Sequence, residues 1–199
     1  MSSVVIAGNT SGSVTLSAPD VAGTTTLTLP STSGNVLTSA SSVASSQLPA
    51  GSVLQVVSAS KSDTFSTTAR SFTDITGLSL SITPKFATSK ILVFMAVQVA
   101  NDGADATMIQ MVRNSTSIGI GDARGIRIRN TTQSAFGSNA VSSLTGITLD
   151  SPSTTSATTY KLQIRSDSGT AFVNTQSGTG DGTYHGTQYS TIMVMEIAA

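Results

Sequence analysis

The sequence predicts an all-β protein, a glycine-repeat β arm or stalk followed by a jelly-roll-like β-sandwich knob. Three observations predict it. Glycines recur at a spacing of eleven in Gly12, Gly23 and Gly34. Roughly a third of the 199 residues are Ser or Thr, far above ordinary usage. Only 10% are charged, and Glu196 is the sole Glu, so the straight-chain charged residues that favour helices are scarce while Thr, Val and Ile, which favour strands, abound.

Residues 1–37 carry the repeat. Gly12-Ser-Val-Thr-Leu-Ser-Ala-Pro19 and Gly23-Thr-Thr-Thr-Leu-Thr-Leu-Pro30 are near-copies, and Gly34-Asn-Val-Leu-Thr38 begins a shortened third. Each unit reads as a short strand closed by a turn. Units this small cannot bury a face alone, so they must stack on neighbours or on other chains. Residues 38–51 are small and polar and end in Pro49 and Gly51, which reads as a linker. A short helix docking Val43 and Leu48 is the alternative.

Residues 52–199 read as one β domain of ordinary size. Residues 53–57 form a first strand; Phe65 and Phe72 flank a turn. Residues 78–82 alternate strictly, giving one buried and one wet face, and Pro84 ends the strand. Residues 91–99 do not alternate. Such a strand is covered on both sides, so its second cover is another sheet or a partner subunit. Strands follow at 107–113, 117–120, 126–129, 146–149, 160–165, 170–173 and 191–197. Between the first of these, the loop Asn101-Asp-Gly-Ala-Asp105 reads as a hairpin turn with Gly103 at a special φ.

Charge and composition narrow the function. Formal net charge is zero, which removes the electrostatic footprint of a nucleic-acid binder. With no Cys, disulfide scaffolds and thiolate metal sites are excluded. The start of the chain shows no basic and apolar leader pattern, and the apolar run at 91–100 is half the roughly 20 residues of a membrane helix. We therefore expect no membrane insertion, and synthesis in a cytoplasm without a secretion signal.

No catalytic, cofactor or metal site is expected. A glycan-cleaving pair of carboxylates finds no second member for Glu196, and most Asp residues occupy turns. His185, the only His, cannot make a metal site in one chain. Gly119-Ile-Gly121 lacks the third glycine of a dinucleotide loop, because position 124 is Arg. Two clusters remain as receptor-contact candidates. One is Arg124, Arg127 and Arg129, three like charges that need counter-charges, water or a phosphate-bearing ligand, with Asp122 placed to pair with Arg124. The other is the glycine-rich stretch 178–186 with Tyr184, His185 and Tyr189, where aromatics beside polar groups suit recognition.

The ordered set of motifs carries a family resemblance. The repeat with its Gly34-Asn-Val-Leu-Thr38 ending resembles the N-terminal segment of tailed-bacteriophage fibre and appendage proteins. Gly51-Ser-Val-Leu-Gln-Val-Val57, Thr76-Gly-Leu-Ser-Leu-Ser-Ile-Thr-Pro84 and Ser89-Lys-Ile-Leu-Val93 resemble a domain of marine and cyanobacterial phage virion proteins. So do Ser117-Ile-Gly-Ile-Gly-Asp-Ala123, Leu149-Asp-Ser-Pro152, Ala157-Thr-Thr-Tyr-Lys161 and Met195-Glu-Ile-Ala198. The C-terminal half is also similar in pattern to the trimeric jelly rolls of the complement and tumour-necrosis type. The resemblance implies a non-enzymatic virion protein: a homotrimeric tail fibre or appendage that attaches to a host surface glycan or protein, docked on another virion protein through residues 1–37. A capsid decoration protein that stabilises the shell is the alternative, since it too needs an arm and a knob. A free lectin or enzyme domain is the third class; it has no use for the arm.

Overall fold

The computed structural model describes residues 3–7, 9–17, 21, 23, 24, 26, 31, 33, 43–135, 139–178, 180, 182, 183 and 185–199. The chain divides into two compact units, 1–42 and 43–199. In the first, β1 (Ser3–Ala7) pairs antiparallel with β2 (Ser13–Ser17), with Val4 opposite Leu16 and Val5 opposite Thr15. Gly12 lies at φ +78°, the left-handed turn conformation that leads into β2. β2 is the strand of the first repeat; its partner β1 carries no repeat signature. The third repeat, residues 34–38, and most of the second lie outside the described residues.

The second unit is a β-sandwich. Its strands are β3 (Val53–Lys61), β4 (Phe65–Thr67), β5 (Thr73–Ile82), β6 (Lys90–Asn101), β7 (Thr107–Arg113) and β8 (Thr116–Ile118), then β9 (Thr132–Gln133), β10 (Ser142–Asp150), β11 (Thr158–Ser166), β12 (Ala171–Val173) and β13 (Ser190–Ile197). One sheet runs β3-β13-β6-β10, with the short β12 and β4 continuing alongside β6 past the end of β13. The other runs β5-β11-β7, with β8 and β9 sharing the free edge of β7. The long strands pass back and forth between the sheets, the order of a jelly roll. A single 3₁₀ turn, Ser45–Gln47, stands in the expected linker, and Val43 and Leu48 remain exposed rather than docked.

Alternation builds the core. Ile91, Val93, Met95, Val97 and Val99 of β6 face Ile75, Leu78 and Ile82 of β5 and Tyr160, Leu162 and Ile164 of β11, all essentially inaccessible. Burying such aliphatic side chains supplies the main driving force, at roughly 25 cal/mol per Å².

Three local expectations are corrected. Residues 126–129 form no strand: they lie in the long connection from β8 to β9, where Gly125 at φ +56° reverses the chain. The 101–105 loop is no hairpin, because β6 and β7 belong to different sheets. Gly103 there has no special φ; its role is close approach, since a Cβ would sit 2.4 Å from the Ser168 carbonyl oxygen. Phe65 and Phe72 stand on either side of the bend between β4 and β5.

Candidate functional site

Two buried polar devices hold the sandwich shut. Glu196 of β13 is fully buried beside Ile192 and Val194, the face alternation assigns it. Its Oε1 accepts from the backbone N–H of Lys85 (2.7 Å) and Phe86 (3.3 Å), and its Oε2 from the Gln55 amide. Burial pushes its carboxyl up; the nearby Ser89 hydroxyl, Gln55 and the two backbone donors outweigh that and hold it below its ordinary value. The carboxylate thus pins the β5–β6 connection to the last strand, with every oxygen occupied by structure.

Across the molecule, Asp150 of β10 accepts from Arg113 of β7 at 2.7 and 2.9 Å and from the Tyr160 hydroxyl of β11 at 2.7 Å. This joins the two sheets along one side. Burial, then the Asp150 carboxylate, drives the Tyr160 phenol well above its usual range. The sequence reading missed this triad: its members are 37 and 10 residues apart and meet only because two sheets stack.

The arginine candidates do converge. Arg124, Arg127 and Arg129 are all exposed and, with Asp122, Asn130 and Gln133, line one concavity of about 290 Å³. A turn closed by Arg127 N–H donating to the Arg124 carbonyl (3.2 Å) sets two of them on one lip. Arg129 Nε donates to the Gly121 carbonyl at 2.6 Å, which fixes the plane of that guanidinium. The expected Asp122–Arg124 pair does not form. The four ion pairs among the described residues are Lys61–Asp63, Lys161–Asp74, Arg113–Asp150 and Arg165–Asp167.

The glycine-rich candidates lie elsewhere, between β12 and β13. His185 is half-buried, its ring Nδ1 donating to the Gly180 carbonyl at 2.8 Å and its backbone N–H to the Gly182 carbonyl at 2.9 Å, so the residue closes the loop on itself. Asn139 exchanges two hydrogen bonds with Ser177 and ties the loop's start to the strand entering β10. His185, Gln188 and Thr64 line a separate concavity of about 360 Å³. Tyr189 is 64% exposed, outside the core. Tyr184 lies outside the described residues. Among the described residues no group of three His, Asp or Glu side chains is placed to hold a metal ion, and no helix is long and apolar enough to cross a membrane.

A third surface was legible only in part. The outward residues of the β3-β13-β6-β10 sheet form apolar rows. One is Val56, Met195, Leu92 and Leu149; the next is Ser58, Met193, Phe94 and Ile147; Ile197 and Val53 extend the patch. Ile147 is 67% exposed, Leu149 58% and Val56 53%. The non-alternation of β6 signalled this face. The alternate Met193 and Met195 of β13 carried the same signal.

No family model and no curated protein matches the chain. Fourteen chains of solved structures match it. One is the structure of infectious bursal disease virus Gx strain, at TM-score 0.32 and 14% identity, covering 73% of this chain and 38% of that one. This chain therefore spans well under half the length of that relative, and the likeness is too loose to rest a role on.

Proposed function

We propose that this chain is a non-enzymatic structural protein of a tailed-phage virion, a homotrimeric appendage whose sandwich assembles with two further copies and presents attachment surfaces outward. The observation that carries the reading is the uncovered apolar face of the β3-β13-β6-β10 sheet. Four strands about 4.8 Å apart and three rows about 7 Å apart make a patch on the order of 400 Å². Patches of that size on soluble proteins mark interaction sites. This one has an interface's anatomy: Phe94, Ile147, Leu149 and the methionines at its centre, and Thr145, Thr191, Ser60 and Gln98 toward one rim. The two central rows carry no charge; Lys90, opposite Ile197 in the outermost row, is bonded to Ser151. A self-contact is consistent with that neutrality, and closed symmetry accommodates the same patch on every copy. The sequence resemblance supplies the virion setting. Sites repeated on each copy would multiply weak attachment through effective concentration.

Native mass spectrometry of the full chain tests the assembly. A trimer is expected, and Ile147→Lys, at an exposed position, should convert it to a folded monomer. A wild-type monomer, or a variant that stays trimeric, would remove the face from the reading. Antibody labelling of intact particles then separates a few tail sites from a decorated shell.

A further inference from the structure

We propose that the arginine loop between β8 and β9 is an anion site that binds phosphate groups carried on a saccharide. The chain is neutral overall, and its other ordered cations are mostly spoken for. Lys61, Lys161, Arg113 and Arg165 each have a carboxylate partner. Lys85 and Lys90 are bonded to serine hydroxyls. Arg124, Arg127 and Arg129, by contrast, share one concavity with a single acid, Asp122, and none of them is ion-paired among the described residues. The lining therefore carries a local excess of two positive charges, in a loop whose backbone geometry brings the charges together rather than apart.

Geometry sets the ligand class. The Nε bond to Gly121 leaves the terminal nitrogens of Arg129 as an oriented fork, the donor arrangement that matches phosphate oxygens in pairs. Three guanidiniums suit a tetrahedral oxyanion better than a lone carboxylate. The concavity, about 290 Å³, leaves room beside a bound phosphate for a further group. Beside the arginines lie the side-chain amides of Asn130 and Gln133, uncharged groups suited to hydroxyls. Ile128, partly exposed in the lining, offers an apolar contact to the C–H face of a sugar ring. No aromatic lines the concavity, so nothing there stacks a nucleic-acid base.

The test titrates the full chain at low salt with glucose 6-phosphate, glucose, inorganic phosphate and phosphatidylglycerol vesicles, followed by calorimetry. Saturable binding of glucose 6-phosphate is expected, weakening as salt rises, with no heat from glucose. The double variant Arg124→Gln, Arg127→Gln should bind at least about tenfold more weakly. Its melting temperature should stay unchanged, and the exposed Arg70→Gln should bind like wild type. Equal binding by the double variant, or no binding of glucose 6-phosphate at millimolar concentration, would overturn the site. Inorganic phosphate bound as tightly as the ester would overturn the saccharide assignment. Binding to vesicles alone would replace it with a membrane surface.

Discussion

The N-terminal hairpin and the sandwich are written in the same alphabet of Val, Ile, Thr and Ser, yet they sit at opposite ends of burial. In the hairpin, Val4, Val5, Ile6 and Leu16 are each more than half exposed within the chain. In the sandwich, residues of the same kind, Val93, Ile91 and Leu162, are fully buried. Alternation makes a strand; only a second layer makes a core, and two strands alone are marginal in water. What separates the regions is stacking, not strand propensity.

That contrast can be broken by experiment, most sharply at the core. Leu162→Ala should cost about 3 kcal/mol in denaturant unfolding, through lost burial and the cavity left behind. Ile6→Ala should change the same transition by under about 0.5 kcal/mol. Comparable costs would mean that the hairpin belongs to the cooperative unit.

A smaller effect is expected at Glu196, where Glu196→Gln removes an acceptor oxygen from buried donors at about 2 kcal/mol. Its folded carboxyl titrates below the ordinary value of 4.5. Its contribution is therefore complete above that value and lost as pH falls through the folded value. Asp74, lowered chiefly by its bond from Lys161, adds in the same direction. Unfolding free energy of the wild type should decline below about pH 4.5, and that of the variant should decline less. Parallel acid profiles would remove the carboxylate from the acid response.

The smallest change is expected from deleting residues 1–42. The melting transition of the sandwich should move by less than about 0.5 kcal/mol, because its core residues all lie beyond that point. A large loss would show that the arm contributes to the knob itself.

Much of the sandwich was legible from period alone. The strands at 107–113 and 191–197 fall within a residue of the observed elements, because short runs rich in apolar and β-branched residues between turn residues mark strands locally. The strand expected at 126–129 failed for a local reason too: Ile126 and Ile128 alternate with arginines, but no sheet edge reaches them and Gly125 turns the chain. β4 and β9, three and two residues long, carry too little pattern to be seen. Of the candidate sites, the arginine cluster was visible as charge density, while the concavity it lines was not.

The sequence by itself determined that this chain is β throughout, that 91–99 has two apolar faces, and that Arg124, Arg127 and Arg129 stand close together, because side-chain period and spacing are local properties. Tertiary structure decided which face of β6 is sealed and which is left open, and that Asp150, Arg113 and Tyr160 meet. It also decided that the arginines converge on one hollow with a single acid, Asp122, among them. Those outcomes depend on which strands become neighbours across two sheets, and strand order is set by the packing of the whole chain rather than by any one segment.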